Sequence, residues 1–195
     1  TKYENILTDL KKNETYLKEI NARLKRESNE YLNNSLVEIE KKENIFREIV
    51  KKFYDNHGGS LKLKETENAK YLYDIKIEIP KDDSQGVNGV KIFCYDVLLY
   101  KLNKNLLNFM AHDGCLFSGM DPRQESIIFK IILELIKQNN DFQYFINLNQ
   151  NTLNEIIDEN NTIISSEDKK YLQNSIILEL LDKNPENWLL GESFN

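Results

Sequence analysis

The sequence predicts an α/β body preceded by a long coiled-coil helix, and three observations predict it. Residues 1–56 carry a heptad-spaced apolar seam without Gly or Pro. Residues 71–79 change to a period of two, the signature of a half-buried strand. Beyond Lys81, short apolar runs alternate with segments of helical spacing, the order that builds a sheet with a parallel component. The expected division is therefore a coiled-coil helical region over 1–56 and an α/β body over 57–195.

In the helical region Tyr3, Ile6, Leu10, Leu17, Ile20, Leu24 and Tyr31 alternate spacings of three and four. Asn13 and Glu27 interrupt this seam, lowering its stability while fixing register. A second seam, one position out of phase, runs through Leu32, Leu36, Ile39, Phe46, Val50 and Phe53, widened by Ile45 and Ile49 where a coil would meet a body. The shift near Tyr31–Ser35 reads as a stutter in one helix or a turn between two, and the continuous helix is favoured. A helical hairpin packed on the body is the other reading. Gly58 and Gly59 are expected to end the region in a left-handed C-cap.

In the body, Tyr71, Tyr73, Ile75, Ile77 and Ile79 share one strand face up to Pro80, with Leu61–Lys64 as hairpin partner. Residues 87–103 show helical spacing. Leu106–Ala111 reads as a fully buried strand followed by His112-Asp113. Asp121 and Pro122 are an N-cap and N1 pair opening a helix to about Gln138. Phe142–Leu148 is a second buried strand, 152–158 a helix, and Ser175–Leu181 and Trp188–Phe194 two final strands.

The chain has 195 residues and a net charge of −6, enough length for a core and too acidic for whole-surface nucleic-acid binding. No run of about 18 apolar residues occurs, so no membrane span and no signal segment is expected and a cytoplasmic location is. Two cysteines and two histidines, unclustered, make a structural zinc site improbable; Cys94 and Cys115 read as buried thiols. His112-Asp113 as a phosphohydrolase metal pair would need several helix-borne histidines, and only His57, in a turn, remains. Thr1 rather than Met opens the chain, which reads as a fragment.

The run Met110-Ala111-His112-Asp113-Gly114-Cys115-Leu116-Phe117-Ser118-Gly119-Met120-Asp121-Pro122-Arg123-Gln124 resembles the hallmark of YydD-like proteins, the family known as domain of unknown function 2326. Val90–Asp96 and Trp188–Phe194 are similar to the same family. The resemblance covers about 57–195. It implies the C-terminal lobe of a P-loop ATPase head of ABC/SMC type, with the base of its returning coiled coil.

The resemblance also implies site roles. Ser84-Gln85-Gly86 would be a signature element at a helix N-terminus, Ser84 and Gly86 meeting a γ-phosphate, with Gln in place of the usual first Gly. Asp113 would be the Walker B-like acid that organises Mg²⁺. The usual Asp-Glu pair is absent, so either no general base follows Asp113, or Asp113 stands in the base position and His112 replaces the first acid. Gly119-Met120-Asp121 resembles the D-loop, and Asn149 would take the switch position after the second strand, in preference to Asn147. No phosphate loop occurs, so ATP and Mg would bind only with an N-terminal half-head of the same protein. A homodimer through heads or coiled coil is implied, with DNA as an allowed partner. The competing reading is a non-catalytic coiled-coil scaffold on a degenerate ATPase fold.

Overall fold

The computed structural model describes residues 2–55, 57–66, 71–81 and 84–180. Two compact units divide the chain, Thr1–Lys104 and Asn105–Asn195. This division lies well beyond the 56/57 boundary drawn from the change of period. The hairpin and the following helix belong to the same unit as the helical region.

In the first unit, α1 (Lys2–Asn34) and α2 (Leu36–Lys51) are separated by Ser35 alone. The Ser35 N–H lies 3.0 Å from the Tyr31 carbonyl and 3.1 Å from that of Leu32, and Ile39 N–H donates to Ser35 O at 2.9 Å. The bonding ladder therefore passes through the break, and the phase shift is absorbed at one residue. A single residue cannot reverse the chain, so no helical hairpin forms. Tyr3, Ile6, Leu10 and Leu17 are exposed along α1. Further on, Tyr31 pairs with Tyr73 at 6.3 Å, and the Tyr73 hydroxyl donates to Ser28 O at 3.4 Å.

The helix ends differently from expectation. Lys52 caps α2 in a right-handed conformation, and the left-handed residue is Asp55, with φ 37°, not Gly58 or Gly59. Gly59 serves a close approach instead. A Cβ there would lie 2.7 Å from Glu78 O and 2.8 Å from Phe46 Cε1. That proximity brings the start of β1 (Ser60–Glu65) against α2, where Phe46, Ile49 and Val50 are buried.

β1 pairs antiparallel with β2 (Tyr73–Glu78), with Leu61 opposite Ile77 and Leu63 opposite Ile75. This is the hairpin the alternation predicts. α3 (Gln85–Leu102) starts at Ser84, whose hydroxyl accepts from Val87 N–H at 3.3 Å. It buries Val87, Val90, Phe93, Cys94, Val97 and Leu98, and Phe93 meets Phe53 edge-on at 6.2 Å. Burial pushes the Cys94 thiol up, so it is an inert packing group.

In the second unit, β3 (Phe109–His112) and β4 (Gln143–Ile146) pair in parallel, Phe109 opposite Gln143 through His112 opposite Ile146. The parallel component is thus present, but the fully buried strand from Leu106 is not. Leu106 and Leu107 lie in a turn and coil, Leu106 82% exposed. With only two strands in this sheet among the described residues, one face stays open, and Phe109 and Phe145 pair there edge-on at 6.4 Å.

α4 (Pro122–Gln138) has the expected start. Asp121 Oδ1 accepts from Gln124 N–H at 2.8 Å, and Gln124 Oε1 accepts from Asp121 N–H at 3.2 Å, a complete capping box. Asp121→Ala is expected to cost about 1 kcal/mol in urea unfolding, whereas Asp121→Ser, which keeps a capping oxygen, costs much less. Equal losses for the two would rule out the cap as the main role of this side chain.

α5 (Gln150–Ile157) follows β4, close to the expected 152–158. α6 (Ser166–Asn174) is an addition. Its N-cap Ser165 accepts from Asp168 N–H at 3.2 Å, and Lys169 Nζ donates to Asp158 O at 2.7 Å and Asn161 O at 2.6 Å. The strand expected from Ser175 is not formed over 175–180. Ser175 closes α6, and Ile177 is 91% exposed. Leu181 and the strand expected over Trp188–Phe194 lie outside the described residues.

Candidate functional site

The parallel register sets the two strand C-termini side by side, and the residues just beyond each strand make the site. Asp113 succeeds β3 in an extended conformation, φ −81° and ψ 150°, so strand alternation continues through it. His112 therefore leaves the sheet on one face and Asp113 on the other. The His112 Nδ1 lies 2.9 Å from the Tyr144 hydroxyl, and the two rings meet edge-on at 5.6 Å. His112 is thus engaged with β4 through Tyr144.

Asp113 is exposed yet tightly held. Its Oδ1 accepts from Cys115 N–H at 2.8 Å, capping the short 3-10 helix Gly114–Phe117. Its Oδ2 accepts from Asn147 Nδ2 at 3.1 Å. Asn147, just past β4, also accepts from Gly114 N–H through its own Oδ1. A Cβ at Gly114 would sit 2.9 Å from that Oδ1 and 3.0 Å from Asn147 O, so a side chain there would push Asn147 away and the contact favours glycine. Bonds from the Cys115 N–H, then the Cys115 thiol and the Asn147 amide, hold the Asp113 carboxyl below its usual range and keep it charged. In turn Asp113 raises the Cys115 thiol. Cys115 is exposed, against the expectation of a buried thiol: the 3-10 turn buries Leu116 and Phe117 and leaves Cys115 outside.

The other expected residues separate into two groups. Asp121 caps α4, and Gly119 before it has φ 76°, a left-handed value that favours Gly. Asn149 caps α5 by position only, without a side-chain cap bond. Asn147, not Asn149, is the amide brought to Asp113. Ser84 and Gly86 belong to the first unit, at the start of α3. Neither Asn147 nor Tyr144 stands out in sequence beyond its place near the end of a strand.

Among the described residues, no three His, Cys, Asp or Glu side chains group to hold a metal. A single charged carboxylate does fit Mg²⁺, which keeps several waters and takes the rest of its shell from substrate phosphates. The Cys115 and Asn147 bonds leave lone-pair capacity on the Asp113 carboxylate, which offers about four acceptor sites. No helix among the described residues is long and apolar enough to cross a membrane.

Against known proteins, a family described as "Uncharacterised protein conserved in bacteria (DUF2326)" matches residues 49–194, from within α2 onward. No curated protein matches the chain. Among solved structures, the chain is similar to an SMC head bound to the C-winged helix domain of ScpA. That likeness has a TM-score of 0.45 and 17% identity over 60% of this chain and 37% of the other. It is also similar to an SMC head with an extended coiled coil, bound to the C-terminal domain of ScpA derived from Pyrococcus furiosus. There the TM-score is 0.46 and the identity 18%, over 73% of this chain and 35% of the other. The chain therefore spans little more than a third of the length of either SMC head.

Proposed function

The chain belongs to the DUF2326 family, and from that premise we propose that it is the C-terminal half of an SMC-like ATPase head. The observation that carries the reading is Asp113, held ionised at the C-terminal end of a parallel strand and bonded to Asn147 at the end of the next. In open parallel sheets the crevice outside the strand C-termini is where ligands bind, and a charged carboxylate there suits a hydrated divalent ion on phosphates.

In this proposal Asp113 holds Mg²⁺, and the ion, when bound with ATP, neutralises charge on the phosphoryl group. The Asn147 amide orients the carboxylate. Asp121 and Asn149 lie at the starts of α4 and α5, where they contact the nucleotide or the opposing head. Ser84 and Gly86 open α3, whose first-turn N–H groups suit a phosphate anion. The phosphate loop comes from the N-terminal half of the same protein, the functional unit is a homodimer, and DNA is a candidate load. With the His112 ring engaged by Tyr144, Asp113 takes the part of metal organiser in this proposal rather than that of base.

A scaffold without catalysis is the second reading. It is supported by the same carboxylate: both Asp113 oxygens are already used inside the fold, and Asp113 caps a turn. Sedimentation of the protein carrying both halves, with and without ATP and Mg²⁺, separates the two. An ATP-dependent rise in oligomer size is expected for an engaging head, and an unchanged profile would leave the scaffold.

A further inference from the structure

Glu125 lies one turn into α4, where an acidic side chain is ordinarily solvated. Here it is 6% exposed, and its Oε2 has no hydrogen-bond partner among the described residues. The charged groups acting on it are Glu155, on the facing helix α5, and Asp121, at the start of its own helix, both acidic. The Gln124 N–H is taken by Asp121 Oδ1, and the Glu125 N–H donates to Asp121 O at 3.1 Å. A buried carboxylate without a cation or a donor is costly, so such a group tends to carry its proton.

We propose that Glu125 is a proton-operated latch between α4 and α5. Neutral, it lets the two helices close over it; ionised, it repels Glu155 and loosens α5. Around it the packing is otherwise well tied. Asn161 Nδ2 donates to Ser126 Oγ at 2.8 Å and to Ile156 O at 3.0 Å, joining the chain after α5 to the residue beside Glu125. A change in the charge of Glu125 is thus felt at a pinned helix pair. On the ATPase reading, the latch regulates the site, because Asp121 and Asn149 cap the two helices concerned. The pH dependence itself does not rest on that reading.

Burial first, then Glu155 and Asp121, raise the Glu125 carboxyl from its ordinary 4.5 to about 7. The folded chain then holds one more proton than the unfolded chain between those values. Stability consequently falls as pH rises through that window and levels off above it. The carboxylates held low, such as Asp113 and Asp168, act in the opposite sense and below the window.

The test is urea unfolding of this chain, without nucleotide, between about pH 5 and about pH 8, for the wild type and Glu125→Gln. The unfolding constant of the wild type is expected to rise by roughly fifty- to a hundredfold more than that of Glu125→Gln across this range. Parallel curves would overturn the latch. Should Glu125→Gln not fold, carboxyl NMR of the wild type reads Glu125 directly, beside Glu155→Gln, an exposed position. A titration near neutrality that moves down in Glu155→Gln supports the latch, and one at the ordinary carboxyl value overturns it. The ATPase assignment can fail without changing either readout, since neither contains ATP.

Discussion

Asp113→Ala, placed in the protein that carries both head halves, is expected to lower ATP hydrolysis by at least about a hundredfold. The argument rests on geometry and charge. The carboxylate is exposed at the strand end, kept ionised by three hydrogen-bonding groups, and not tied up in an ion pair among the described residues. Removing it takes away a charge that waters cannot replace at a fixed position. It also frees the Cys115 N–H and the Asn147 amide, so the alanine variant alone confuses a local structural loss with a chemical one. Asp113→Asn resolves this. Its side-chain oxygen still accepts from Cys115 N–H and preserves the 3-10 turn, while the negative charge is gone. If the site assignment is right, the asparagine variant unfolds within about 1 kcal/mol of wild type and is nearly as inactive as the alanine variant. Wild-type hydrolysis by both variants would remove Asp113 from the site and leave its role as a turn cap.

Phe93→Ala should cost about 3–5 kcal/mol, the largest stability loss expected from a single substitution in the first unit. Phe93 is 0% exposed and meets Phe53 edge-on, in the contact that fastens α3 to the end of α2. Truncation loses both the apolar transfer energy and the contacts around the cavity left behind, and the aromatic pair adds about another kcal/mol. Against a total stability of roughly 5–15 kcal/mol, the loss would leave a large unfolded fraction. Phe93→Leu, which refills most of the volume, should recover more than half of it. Urea midpoints for the three proteins make the comparison, and a loss under about 1 kcal/mol for the alanine variant would show that α3 is held elsewhere.

Local patterns were legible wherever one rule dominated. Alternation from Tyr73 to Ile77 places the β1–β2 hairpin, because a one-residue slip would turn its apolar face outward. Asp121, Pro122 and Gln124 define the start of α4 through the capping box. Where two rules competed, reading failed. Ser175–Leu180 has strand-forming residues but no partner strand among the described residues, and Ser165 with Asp168 already commits the preceding residues to α6. Leu106 and Leu107 belong by hydropathy to a buried strand, yet β3 can be only as long as the register it shares with β4.

The site divides in the same way. Asp113 was identifiable as an acid at the end of an apolar run, and the central motif marked the stretch from Met110 to Gln124. Its partner was not. Asn147 and Asn149 are equivalent in composition, and the parallel register and the absence of a Cβ at Gly114 decide between them. Glu125 was invisible for a related reason. Its position in the first turn of an amphipathic helix predicts solvent, and only the tertiary packing around α4 removes it from water.

By itself, then, the sequence determined the β1–β2 hairpin, the start of α4 and the likeness to the DUF2326 family, because propensity, capping and period act over a few residues, and the family motif is contiguous. The tertiary structure alone decided the domain division at Lys104, the pairing of Asp113 with Asn147, the orientation of His112 towards Tyr144 and the burial of Glu125. Each of these depends on which residues distant in the chain meet in space, and so on packing and strand register that no short window of sequence contains.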